Sequence, residues 1–202
     1  DINGQTWTVQ TIQPGGAKFF VTGSKKESNF HVVDSEYRGL AALDNVKAIV
    51  IAEGYATADT LSQALGYPVI AAFDSGNLLK VAQVLQKKYP QKPIVIAGDD
   101  DLTQESINGK NPGKEKAMEA AQLVNGAVVL PIFAPGEQMS QQLSDFNDLA
   151  NKSVLGIEAV KRQVGSVVEK ASQQAKQDSL LKLQAPIEPK QQEIKQKRAL
   201  IR

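Results

Sequence analysis

Four short apolar runs constrain this chain more than any other feature: AIVIAEG (48–54), YPVIAAF (67–73), PIVIAGD (93–99) and GAVVLPIF (126–133). A continuous apolar run of this length is typical of a strand buried on both faces, as in a parallel sheet. Helical spacing fills the gaps. ATADTLSQAL (56–65) sets Ala58, Leu61 and Leu65 on one side, and NLLKVAQVLQKKY (77–89) does the same with Leu78, Val81, Val84 and Leu85. GKEKAMEAAQLV (113–124) is a third helix. The β-α-β-α-β-α-β order predicts an α/β fold, a mainly parallel sheet flanked by helices.

The flanks read differently. TWTVQTI (6–12), AKFFVTG (17–23) and NFHVVD (29–34) alternate like strands, separated by the PGG turn at 14–16 and the basic tip GSKKES. They predict a small antiparallel β meander ahead of the core. Beyond the core, Ile157, Val160, Val164, Val167, Ala171 and Ala175 predict one amphipathic helix over 157–184, which Pro186 and Pro189 break. The expected division is a β subdomain at 1–45, a catalytic core at 46–155, and a helical arm with basic tail at 156–202.

Composition narrows the chemistry. There is no cysteine and a single histidine, His31, so neither thiolate sites nor a His/Cys zinc site can be assembled. Any metal must be held by oxygen, which points to Mg²⁺, Mn²⁺ or Ca²⁺. His31 lies within a strand and reads as structural. No apolar run approaches transmembrane length and no signal peptide is recognisable, so no membrane partner is expected. A chain starting at Asp1, directly in DINGQTWTV, reads as a fragment of a longer protein. Net charge is +1 but uneven: residues 157–202 hold ten Lys/Arg against five Asp/Glu, leaving thirteen against seventeen in residues 1–156. An acidic body with a basic tail predicts weak intrinsic DNA affinity and salt-sensitive phosphate contacts from the tail.

Ligands of open parallel sheets bind beyond the carboxyl ends of the strands. Glu53 and Gly54 close the first core strand, and Asp99, Asp100 and Asp101 the third. Alternation along extended backbone lets Asp99 and Asp101 share one side while Asp100 points away. If the two strands are neighbours, Glu53 joins that pair in a hard-cation site; the plain alternative is a polar turn leading into a helix. In SDFNDLA (144–150), Asp145 reads as a helix cap and Asp148 as a first-turn acid. In FDSGNL (73–78), Asp74 or Ser75 shapes a turn, Gly76 permits a bend and Asn77 can cap the next helix. NGKNPGKEK (108–116) carries Lys110, Lys114 and Lys116 near the aspartates, as a phosphate loop or a solvated one. Lys25 and Lys26 read as a solvated turn.

Glu-Gly after one apolar strand and Asp-x-Asp after a later one resemble the Toprim domain shared by bacterial-type primases, topoisomerases and some nucleases. EGYATADTL (53–61) resembles more narrowly the EGYATA motif of conjugative-plasmid primases of the TraC type, and AFDSGNL, AGDDD…NPGKEKA and DFNDLA recur there in the same order. The resemblance covers roughly residues 1–165. It implies that Glu53, Asp99 and Asp101 are catalytic and bind metal, with Asp145 and Asp148 as accessory acids. Gly54, Gly76, Asn77, Lys110 and Lys114 are the phosphate and nucleotide positions expected on this reading. The implied cofactor is Mg²⁺ or Mn²⁺, and the implied partners are single-stranded DNA template, ribonucleoside triphosphates and further domains such as relaxase or helicase modules.

The implied function is a DNA primase core, a nucleotidyltransferase making short RNA primers during conjugative transfer, in the bacterial cytoplasm or moving with plasmid DNA. A Toprim nuclease and a non-catalytic nucleic-acid or partner-binding module are the alternatives. Tyr55, Tyr67 and Tyr89 read as packing residues and Tyr37 as part of the link to the core, which leaves no evident topoisomerase nucleophile. Two positions depart from the family: Asp59 stands where a small residue is expected, and Ser144 where cellular primases carry Lys.

Overall fold

Side-chain alternation along the core strands sorts the interior of the protein into two layers. The structure, a computed structural model, describes residues 1–36 and 38–184. Tyr37, Pro186, Pro189 and the basic tail lie outside the described residues.

Strands β1 (Gln10–Ile12) and β2 (Lys18–Phe20) form an antiparallel hairpin with Gln10 opposite Phe20. A five-stranded sheet holds β3 (His31–Val33), β4 (Ile49–Ala52), β5 (Val69–Ala71), β6 (Ile94–Ala97) and β7 (Ala127–Val129), in the order β3-β5-β4-β6-β7. The last four run parallel, as expected. The third N-terminal strand departs from the expected meander: β3 leaves the hairpin and pairs antiparallel with β5. A two-stranded hairpin offers little core, whereas the open edge at β5 supplies both backbone partners and a place to bury Val33.

The helices are α1 (Tyr55–Leu65), α2 (Ser75–Lys88), α3 (Leu102–Asn108), α4 (Pro112–Leu123), α5 (Glu137–Gln141), α6 (Phe146–Asn151) and α7 (Gly156–Gln184). Helices α3 and α5 have no counterpart in the sequence reading, because five to seven residues hold too few turns to show a period. In β4, Ile49 and Ile51 face a layer built from α2 and α4, with Leu78, Val81, Leu85, Ala117 and Ala120. Ala48, Val50 and Ala52 face the other layer, with Leu61 of α1, Phe146 of α6 and Val160 and Val164 of α7. Along α7 the buried line runs Val160, Val164, Val168, Ser172, an i,i+4 ridge against the sheet; Ile157, expected to join it, is exposed at the first turn. Among the described residues no helix is long and apolar enough to cross a membrane.

One glycine decides how closely the helical layer sits over the strand end that matters. A Cβ on Gly98 would lie 2.4 Å from Ala117 Cβ and 3.0 Å from Leu130 Cδ2. Only glycine lets α4 close over the end of β6, immediately before the three aspartates.

Candidate metal centre

Strands β4 and β6 are neighbours, with Ala52 opposite Ala97. Glu53 and Asp99 therefore leave the sheet at the same edge, one residue apart in register. The geometric condition set by the sequence is met.

The three aspartates divide as alternation predicts. Asp99 and Asp101 both border Gly113 at the start of α4, where an added Cβ would come within 3.0 Å of Asp99 Cβ and 3.2 Å of Asp101 Oδ2. Asp100 turns the other way. Its Oδ1 accepts from Asn111 Nδ2 at 2.8 Å, its Oδ2 accepts from Gln138 Nε2 at 3.1 Å, and its N–H donates to the Ser144 carbonyl at 2.7 Å. It ties the loop to α4 and α5. Asn111 is the post for this arrangement: buried, it accepts from the Asp101 N–H at 3.0 Å and the Lys114 N–H at 3.3 Å, while its amide also reaches Glu105.

Asp99 and Asp101 keep their carboxylates uncommitted. Asp101 precedes α3 but makes no side-chain cap bond. Asp99 Oδ1 is buried without a hydrogen-bond partner, a situation that is costly for a carboxylate unless a proton or a cation is nearby. Burial, followed by the charges of Glu53, Asp145 and Asp101, pushes the Asp99 carboxyl up to about 8, with Lys18 acting in the opposite direction. Glu53 is raised by burial first; the Ser75 backbone amide and Lys18 counter this, while Asp101 and Asp145 add to it. These acids destabilise one another's charged forms.

The second acidic loop is built otherwise. Asp145 caps α6, its Oδ1 accepting from the Asp148 N–H at 2.7 Å and its Oδ2 from Thr57 Oγ1 at 3.0 Å. Asp148 reaches back to the Ser144 N–H at 3.0 Å and pairs with Lys152 at 2.8 Å. Capping, read from the sequence, is what the structure contains: each of the four oxygens of Asp145 and Asp148 has one hydrogen-bond or ion-pair partner, unlike those of Asp99 and Asp101. Asp145 is nevertheless close enough to act on Glu53 and Asp99 through its charge. Lys152, one turn along α6, brings to this loop the positive charge that Ser144 does not.

Thr57 and Thr60 in the EGYATADTL segment explain how the two acidic loops come together. Both are buried, and Thr60 Oγ1 donates to Asn147 Oδ1 at 3.0 Å while Thr57 holds Asp145. Asp59 faces outward and accepts from Gln63 at 2.9 Å; it is a surface substitution.

Among the expected phosphate positions, Gly54 is the N-cap of α1 and lies at the site. Gly76 is exposed in the first turn of α2. Asn77 is neither a cap nor free for a ligand. Asp74 is the cap, and the buried Asn77 amide donates to the carbonyls of Lys26, Asn29 and Ala72 while its oxygen accepts from the Ser28 N–H. Lys110 is exposed and Lys114 half-buried, and among the described residues neither side chain forms an ion pair with the carboxylates. The basic tip is a turn with Lys25 exposed, as read from the sequence, but its lysines have partners: Lys26 pairs with Asp74, and Lys25 lies over the Trp7 ring at 4.8 Å. The cation at the site is Lys18, which the sequence reading passed over. Nothing local in AKFFVTG marks a hairpin that folds over the sheet.

A divalent cation fits what is present. The donors are oxygens only, one buried oxygen is orphaned, and like charges crowd one edge. Among the described residues no three such side chains form a ready-made cage. That suits an ion held through one or two carboxylates and completed by water and substrate phosphate, the usual habit of Mg²⁺.

Residues 48–154 match a family model described as Toprim domain. Two similar proteins are both named DNA primase TraC, from Escherichia coli. One is 38% identical over 233 residues, covering 88% of this chain and 16% of that protein. The other is 39% identical over 255 residues, covering 98% of this chain and 24% of that protein. The chain thus spans less than a quarter of the length of these curated relatives. No solved structure matches it.

Proposed function

The chain belongs to the Toprim family, and on that premise we propose that it is the catalytic core fragment of a plasmid-encoded DNA primase. It joins ribonucleotides on a single-stranded DNA template in a reaction that depends on a divalent cation, Mg²⁺ or Mn²⁺. Relatives named as DNA primases over nearly the whole chain support this reading. One observation carries it: neighbouring parallel strands deliver Glu53 and the Asp99/Asp101 pair to a single edge, where Asp99 holds a buried oxygen without a partner.

Asp99 and Asp101 would hold the cation, with Glu53 beside them. The ion supplies neutralisation of phosphate charge and polarisation of the attacking oxygen. The chain's own residues do the rest. Glu53, whose carboxyl burial raises above the ordinary glutamate range, holds a proton more readily than a solvated carboxylate and is placed to exchange one at this edge. Gly113 keeps α4 close against the aspartates without a side chain in the way, and Asn111 holds the backbone of Asp101 in place. Asp145, fixed by Thr57 and the start of α6, adds negative potential that favours a cation over bare phosphate. Template capture and the handling of longer DNA fall to further domains such as relaxase or helicase modules, given the share of its relatives that this chain spans.

The test is Mn²⁺ titration with templated ribonucleotide joining on single-stranded DNA, comparing wild type with Glu53→Gln and with Asp99→Asn/Asp101→Asn. The aspartate pair is expected to lose Mn²⁺ binding, and either variant to lose joining by about 10²-fold or more, as when a preorganised charge-stabilising group is removed. Metal-dependent DNA cleavage without joining would replace this reading with a nuclease. Wild type that binds no Mn²⁺ would overturn it.

A further inference from the structure

The N-terminal hairpin is bolted to the mouth of the carboxylate edge. Phe20 packs edge-on against Phe73 with ring centroids 5.5 Å apart, and Phe73 has φ 76°, a left-handed backbone that costs a phenylalanine energy unless its surroundings hold it there. Lys26 pairs with Asp74, the cap of α2, and lies over the Phe20 ring at 5.8 Å. The buried Asn77 amide joins the carbonyls of Lys26 and Asn29 to the start of the same helix. Aromatic, ionic and hydrogen-bonded contacts thus fix one small hairpin against the loop between β5 and α2, although two strands alone would be marginal in water.

That clamp has a direction. Side chains two apart on a strand share a face, so Lys18 points the way Phe20 does, toward the sheet, while Phe19 is exposed. Lys18 Nζ reaches to within 3.5 Å of where a Cβ on Gly54 would stand, directly beside Glu53. Among the described residues it closes no ion pair, although a ring of carboxylates lies within electrostatic reach. Its three donors remain available at the edge where the cation is proposed.

We propose that Lys18 receives a phosphate oxygen of a ribonucleoside triphosphate at this edge, the hairpin serving to present it. This rests on the reading of the site as a nucleotidyl-transfer centre. An ammonium on a flexible stem acts as a compact point charge, suited to a phosphate chain that must move during reaction. Gly54 leaves the approach between Lys18 and Glu53 free of a side chain. The competing role is a plain counter-ion that steadies the carboxylates before a cation arrives.

The experiment compares the full chain with Lys18→Met and Lys18→Arg. It measures equilibrium binding of a fluorescent ribonucleoside triphosphate in Mn²⁺, Mn²⁺ binding alone, and the separate KM and kcat of joining. Lys18→Met is expected to weaken triphosphate binding by about ten-fold or more, the scale of one hydrogen bond to a charged group. Mn²⁺ alone should bind as before or more tightly, since a competing positive charge is gone, and Lys18→Arg should recover most of the nucleotide affinity. Unchanged triphosphate affinity with tighter Mn²⁺ binding would leave Lys18 a counter-ion and overturn the proposal. Parallel loss of Mn²⁺ and nucleotide binding with a lower Tm would overturn it too, making the hairpin structural. Either result, in a chain whose wild type binds the Mn²⁺-nucleotide and joins it, leaves the primase reading intact; wild type that does neither removes the premise instead.

Discussion

Two acidic loops stand at one edge of this sheet, and the same residue type does opposite work in them. In the loop after β6, Asp99 and Asp101 keep carboxylates without committed partners, and Asp99 is buried at a cost to the metal-free protein. In the loop before α6, Asp145 and Asp148 have every oxygen engaged by backbone amides, Thr57 or Lys152. The difference lies in what precedes each helix. The backbone places Asp145 where its side chain meets the free amides of α6, whereas Asp101, at the start of α3, makes no such bond, and Asn111 receives its amide instead. A carboxylate relieved of capping is free for a ligand.

Stability measurements can break this contrast, because the two loops should respond with opposite sign. The largest effect is expected from Asp145→Ala, which removes a cap and leaves Thr57 unpaired; a loss of about 2 kcal/mol in chemical denaturation follows from those two bonds together. A change within error would mean the second loop is not built on capping.

Asp99→Asn should do the reverse and stabilise the metal-free protein at neutral or higher pH, by about 0.5–2 kcal/mol on the scale of single stabilising substitutions. The sign follows from its raised carboxyl, pushed by burial and by Glu53 to about 8. Unfolded, it would titrate near pH 4, at about 3.9. The contribution of Asp99 to stability is therefore fully present in acid and is lost as pH rises through about 8. The advantage of the Asn variant should vanish near pH 4, grow as pH rises to about 8 and level off above it, and saturating Mn²⁺ should shrink it by stabilising wild type alone. A pH-independent difference in Tm would disprove the buried charge.

The smallest effect sharpens the comparison. Lys152→Ala frees one oxygen of Asp148 but breaks a pair whose lysine is largely exposed, so it should cost about 0.5 kcal/mol or less. If it also enhanced Mn²⁺ binding, Asp148 would count among the accessory acids after all.

Much of this was legible in the chain itself. The apolar runs and helical spacing announce a parallel α/β sheet, because burial on both faces leaves an unmistakable composition, and period-2 alternation separates Asp99 and Asp101 from Asp100 without coordinates. Asp145 as a cap follows from the local pattern, since capping is decided within four residues. Tertiary structure alone decided the rest. That β4 and β6 are neighbours, that β3 deserts its hairpin for the edge at β5, that Asn77 is a buried bracket and that Lys18 overhangs the carboxylates all depend on contacts between residues far apart in sequence. Local propensity describes what a segment can bury. Which surface is offered to it, and which charge ends up beside which, is set only when the whole sheet assembles.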